Sequence, residues 1–294
     1  MKHNKALGQI SFLIKLLTDR DEFVRNRVQE QLIDLGEDAL PFLEIAVRGG
    51  DDDLRIQANA VIQSILPQKL AEKFRQLAQK GLGQDIDLET GMMLIMEFGY
   101  PNSDPEEFRQ KLDELAQNFA DILNPEAEPP EIVAAFTHFL FQQKGFKGNK
   151  DDYQNPDNSF LNKVLDNQTG LPITLSAICV LLAKRLHLPI VGVGMPGHYI
   201  VKYSLPIEPI YFDPFHQGRL LTKKECIQIV EQFGHSFEEH FLSQATQRET
   251  LIRMLNNLIQ VYKKSNETKK AETLTKYIKI LLNPSKDQQS ERIH

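Results

Sequence analysis

The sequence predicts an α+β protein that is mainly helical, and three observations carry that prediction. Apolar residues recur at helical spacing over much of the chain; Phe108, Leu112, Leu115, Phe119 and Leu123 step by four, three, four and four. Past the middle, a helix entered at Pro172 leads into a strand carrying His198 and then a strand ending on Asp213. At 294 residues the chain is also long enough to divide into more than one substructure.

The first 83 residues read as a helical array. Asp21-Glu-Phe-Val-Arg-Asn-Arg-Val28 and Asp52-Asp-Leu-Arg-Ile-Gln-Ala-Asn59 share an acidic start and a first-turn arginine, Arg25 and Arg55. With apolar residues at helical spacing, the two stretches resemble HEAT-like helix pairs. Ala39 to Val47 supplies a partner helix, stopped at Gly49 and Gly50. Two units bury too little to form a long solenoid, so docking on the next helices through Leu70, Phe74 and Leu77 is expected.

A second region, 84–130, reads as helices Leu88 to Phe98 and Pro105 to Leu123, parted by the breaker Gly99-Tyr-Pro-Asn-Ser-Asp-Pro105. A third, 131–244, opens with a helix from Glu131 to Gln143, ended at Gly145. The polar segment Gly145 to Asn158 is turn-rich, and Ser159 is placed to cap a short helix through Leu165. Residues 245–284 form a helical hairpin, Leu251 to Tyr262 and Ala271 to Leu282, turning at Asn266 and closed by Asn283-Pro284. Leu255, Leu258, Tyr262 and Ala271 resemble one tetratricopeptide-type unit, expected to dock on the core because a free-standing groove needs several repeats. A charged tail, 285–294, follows.

The middle region carries the chemistry. A helix start facing a histidine and an aspartate from neighbouring strands is the layout of an activated thiol, in which the helix end favours thiolate and the carboxylate fixes the imidazole tautomer. Four motifs in order, Asn158-Ser-Phe-Leu-Asn-Lys-Val-Leu165, Gly170-Leu-Pro-Ile-Thr-Leu175, Gly192-Val-Gly-Met-Pro-Gly-His198 and Asp213-Pro-Phe-His-Gln-Gly218, resemble the bacterial SirB-type branch of the transglutaminase-like superfamily. The resemblance covers residues 84–283 or so and implies a transglutaminase-like, papain-like core with a small antiparallel sheet. It also implies a Cys-His-Asp triad whose histidine and aspartate fall on His198 and Asp213, with Gly170 matched and the cysteine position occupied by Pro172. The expected cleft comprises Asn158, Gly170, Pro172, Gly197, His198 and Asp213.

Proline suits the first position of a helix but brings neither a nucleophile nor a backbone N–H for an oxyanion. Ser176 and Thr174, within the first turn or so, are the candidate replacements, although mid-helix hydroxyls usually bond back to a carbonyl. Cys179 lies two turns deeper among Ile178, Val180 and Leu182 and reads as structural. His198 and Asp213 can alternatively just satisfy each other and lock the hairpin. His216 makes a His/Asp/His metal set imaginable, but its spacing is unspecific, and neither metal nor cofactor is expected.

Composition narrows the function classes. With 41% hydrophobic and 25% charged residues the chain is of ordinary globular composition, and a net charge of −6 gives no electrostatic reason to bind nucleic acid or an anionic membrane. Cys179 and Cys226, the chain's 2 cysteines, sit in apolar helical patterns and suit a reducing compartment, and no apolar run reaches membrane-spanning length, so a cytoplasmic protein is expected. The leading functional expectation is a non-catalytic factor that binds a protein partner through a degenerate cleft. The alternative is an amide or ester hydrolase or transferase using His198 and Asp213 with water, Ser176 or Thr174.

Overall fold

The computed structural model describes residues 2–81 and 84–283, so Pro284 and the charged tail lie outside the described residues. It divides into two compact units, Met1–Lys73 and Phe74–His294. The first unit holds helices α1 (Lys2–Leu16), α2 (Glu22–Leu35) and α3 (Leu40–Gly49), and most of α4 (Asp52–Lys80). Asp21 caps α2 by accepting from the Phe23 N–H at 2.9 Å, and the first-turn Arg25 donates to the carbonyl of Asp19 at 2.8 Å. The apolar stripes of these helices close a core around Leu17, Leu32, Leu43, Val61 and Ile65. Helix α4 runs unbroken through Pro67, and the two units part within it, between Lys73 and Phe74. Phe74 accordingly packs within the second unit, its ring stacked on Tyr277 at 4.7 Å.

The second unit continues with α5 (Leu88–Gly99), α6 (Pro105–Ala120) and α7 (Pro129–Thr137). Asp87 and Asp104 cap α5 and α6 through the N–H groups of Thr90 and Glu106. The helix expected through Gln143 loosens after Thr137 into a π-helical turn, His138–Gln143. Strand β1 (Lys147–Gly148) pairs in parallel with β2 (Thr169–Gly170), bracketing α8 (Leu161–Asn167). Ser159 does not cap α8: Phe160 holds the N-cap position, and the Ser159 hydroxyl is buried without a partner.

Helix α9 (Pro172–Arg185) is the pivot. It is apolar all round and buried from Pro172 through Cys179, as befits a core helix. Beside it lies an antiparallel sheet of β3 (Ile190–Val193), β4 (Ile200–Tyr203), β5 (Ile210–Asp213) and β6 (Arg219–Leu221), ordered β3-β4-β5-β6. Helix α10 (Lys223–Gln232) contributes Cys226 and Val230 to a core with Val193, Ile200 and Leu221. The hairpin of α11 (Gln247–Lys264) and α12 (Thr268–Leu282) turns at Asn266, whose φ is +61°. It docks on the core, where Leu251 approaches α5 so closely that a Cβ on Gly91 would sit 2.5 Å from it.

Charged pairs fix the far end of α9. Arg185 grips both oxygens of Glu89 at 2.7 and 3.1 Å and reaches Asp113 at 2.5 Å, while Lys184 bonds Asp87 at 2.8 Å. Burial works against the Asp87 carboxylate, yet Lys184 and Thr90 hold its pKa below the usual value. Among the described residues no helix is long and apolar enough to cross a membrane.

Candidate functional site

Asp213, the last residue of β5, is the anchor of the site. Only 2% of its surface is exposed, and its carboxylate accepts four hydrogen bonds. Oδ1 takes the backbone N–H groups of Phe215 and His216 at 2.9 and 3.3 Å, which winds Pro214–His216 into one tight turn. Oδ2 takes Nε2–H of His198 at 2.7 Å and Nδ1–H of His216 at 2.8 Å. Burial pushes the Asp213 pKa up, but the two imidazoles outweigh it and hold the group below the ordinary carboxylate range. An ionised carboxylate only accepts, so both imidazoles must present N–H to it, and the proton of neutral His198 is fixed on Nε2. Its Nδ1 keeps the basic lone pair.

His198 is not on a strand. It sits in the turn two residues before β4, displaced by Met195-Pro-Gly197, with Gly197 at φ +75°. Only glycine serves at position 197, because a Cβ there would fall 2.1 Å from the Phe233 ring. Arg253 of α11 then holds the turn by donating to the His198 carbonyl at 3.0 Å.

The start of α9 is the other element to which the sequence assigns the site. Pro172 takes the first helical position and is buried, like Gly170 on β2 before it. Thr174 and Ser176 are wholly buried, and neither hydroxyl has any hydrogen-bond partner, not even the carbonyl one turn back that such residues usually find. Neither bonds His198, and no hydroxyl or thiol among the described residues hydrogen-bonds its Nδ1. Cys179 is sealed in the core, where burial pushes its thiol far above the usual value; Cys226 is raised to about 11 for the same reason.

Asn158 acts on the neighbouring loop. Its amide donates to the carbonyl of Asp152 at 2.7 Å, its side-chain oxygen accepts from Asn149 at 2.9 Å, and its backbone carbonyl accepts from the Leu171 N–H at 3.2 Å. The polar segment before α8 is thereby tied to the entrance of α9. Gly148 lets that segment lie on the Asp-Pro-Phe turn, since a Cβ would meet the Phe215 ring at 2.3 Å.

The donor atoms of His198, Asp213 and His216 lie within 4.8 Å of one another, so the trio could offer three ligands to a divalent cation. Each imidazole already shares a hydrogen bond with Asp213 Oδ2, and a cation would have to replace both. A hollow of about 530 Å³ is lined by the residues on either side of His198 in the chain, Gly197 and Tyr199, with Gly194, Pro196 and Arg253 among others. Of the expected cleft residues, Gly197 is the one that lines it. Tyr199 and Arg253 were not singled out from sequence: the spacing of α11 places Arg253 one turn from Thr250 at the edge of a Leu/Met stripe, which by itself says nothing of a loop 55 residues earlier.

Comparison with known proteins places the chain in a family. Residues 106–256 match a family model described as the transglutaminase-like superfamily. A UPF0162 protein of Xylella fastidiosa strain 9a5c is 33% identical over 198 residues, 64% of this chain and 69% of that protein. A UPF0162 protein of Pseudomonas aeruginosa is 28% identical over 170 residues, 57% of this chain and 62% of the relative. F-box only protein 21 of Homo sapiens is 30% identical over 142 residues, 46% of this chain but only 22% of that longer protein. No solved structure matches.

Proposed function

The chain belongs to the transglutaminase-like superfamily, and from that membership and the geometry of its cleft we propose that it is a non-catalytic member that binds a protein partner beside a preserved His-Asp pair. The observation that carries the reading is the mismatch between the two walls of the site. Asp213 still orients His198 with its basic Nδ1 available, while the position for a nucleophile holds a buried proline. Without a nucleophile at that imidazole, the thioester route of acyl transfer has no first step.

The finer assignment to the SirB-type branch rests on the four motifs, and a cytoplasmic setting on two unpaired, buried cysteines. The HEAT-like array and the tetratricopeptide-like hairpin are helical elements of kinds that dock proteins, which supports a partner-binding role. Hydrolysis or transfer through Ser176 or Thr174 is less well supported, because both hydroxyls are fully buried and neither reaches His198. The test is capture of proteins from native lysate on the wild-type chain and on His198→Ala. A specific partner lost at least tenfold with the variant supports the reading; a set of captured proteins indifferent to the cleft, or none at all, overturns it.

A further inference from the structure

Arg253 stands out among the charged residues of the second unit. Its guanidinium is partly buried in the wall of the hollow of about 530 Å³ beside His198. One N–H goes to the His198 carbonyl, and the group lies over the Tyr199 ring at 5.5 Å. Among the described residues no carboxylate pairs with it, in contrast to Arg185, which holds two. Burial drives its pKa downward, against the opposing influence of Tyr199 and Tyr153. Its five N–H donors form a planar fork, and one bond to a carbonyl leaves the rest for a ligand.

The other polar groups of the hollow limit what can enter. Glu249 also lines it, with Oε2 committed to the N–H and hydroxyl of Thr246 at 2.8 and 2.9 Å. Tyr199 spends its hydroxyl proton on Thr250, whose own proton goes to the Thr246 carbonyl. The lining holds one guanidinium, Arg253, one carboxylate, Glu249, and one imidazole, His240, which lies 3.2 Å from Glu238, a balance that suits a singly charged anion better than a dianion such as phosphate. A planar carboxylate also matches the fork geometry of the guanidinium.

We propose that Arg253 is a carboxylate-binding residue in the hollow beside His198, accepting either a chain-terminal carboxylate or an aspartate or glutamate side chain. That this carboxylate belongs to a protein partner rests on the function proposed above; the site itself does not. Because Arg253 also holds the carbonyl of His198, an occupant here is coupled directly to the turn that positions the imidazole.

The experiment follows the Arg253 Nε–Hε resonance of the full chain by NMR, assigned by its disappearance in Arg253→Lys, at constant ionic strength. The probes are N-acetylglycine for a chain terminus, N-acetylaspartate amide for a side chain, N-acetylglycinamide as the uncharged control, and methyl phosphate as the dianion. Saturating shifts with one or both carboxylates at about tenfold lower concentration than with the amide are expected, and the tighter acid names the source. Arg253→Gln should remove the response elsewhere in the hollow. No shift up to about 100 mM probe, equal response to acid and amide, or tighter binding of methyl phosphate would each overturn the proposal. Should Arg253→Gln fail to fold, the wild-type titration still decides, since the reporter is the residue itself. If the carboxylates bind but Arg253→Gln captures the same proteins as the wild type, the partner-binding reading fails while the site stands.

Discussion

The two walls of the cleft have been treated in opposite ways. On the β5 wall every polar atom of the Asp213 carboxylate is used, by two imidazoles and two backbone N–H groups. On the α9 wall the hydroxyls of Thr174 and Ser176 are sealed from water with no partner at all, behind a proline. A complete catalytic site would bind its histidine from both sides, by the orienting carboxylate and by the nucleophile. Here only the orienting side is built. The difference teaches what the pair does in this fold: Asp213 shapes the Pro214–His216 turn and orients the His198 ring.

That contrast can be broken most severely at Asp213. Asp213→Ala strands two imidazole N–H groups and two backbone donors, and a loss of about 3–5 kcal/mol in urea unfolding is expected. A loss under about 1 kcal/mol would mean that the four hydrogen bonds are not what holds this wall. The same group sets a pH signature. Since its folded pKa lies below the ordinary value of 3.8, its contribution is fully present above that pH and lost as pH falls below it. Asp213→Asn should therefore flatten the acid limb of the stability profile below roughly pH 4.

Gly197→Ala should cost about 1–3 kcal/mol, since it combines a positive φ with a clash against Phe233. The double variant Gly197→Ala, Phe233→Ala should recover part of that loss, which separates the clash from the backbone strain.

The α9 wall should respond in the opposite sense. Thr174→Val keeps the branched shape and deletes an orphan hydroxyl, so a gain of about 1 kcal/mol is expected, with Ser176→Ala near neutral or slightly stabilising. Destabilisation by Thr174→Val would reveal a bond for that hydroxyl and reopen the question of a substitute nucleophile. A small effect is also expected at His216, whose side chain is 46% exposed. His216→Ala should cost no more than about 1 kcal/mol, and a large rise in melting temperature of the wild type with added zinc, lost in this variant, would turn the trio into a metal site.

Much of this was legible in the chain itself. The motif order singled out His198 and Asp213, which the structure brings to 2.7 Å of each other, and Pro172, which it puts at the first position of α9; helical spacing located α5, α6, α9 and the closing hairpin. Local rules failed where the packed environment overrode them. Ser159 reads as a cap but is turned into the core. His198 reads as strand because Tyr199 to Tyr203 is apolar, yet Gly197 delays the strand by two residues. Arg253 was invisible because its importance arises from a loop far away in sequence, and amphipathic spacing reports only which residues share a face of their own helix.

The central claim is that the preserved imidazole has no nucleophile to activate. It is tested most directly by pre-steady-state hydrolysis of an activated acyl ester such as p-nitrophenyl acetate, with intact-mass detection of acyl adducts, on the wild-type chain and His198→Ala. The account predicts no burst, no adduct in the cleft, and the same slow rate for both proteins. A burst with an acylated residue of α9, abolished by His198→Ala, would contradict it.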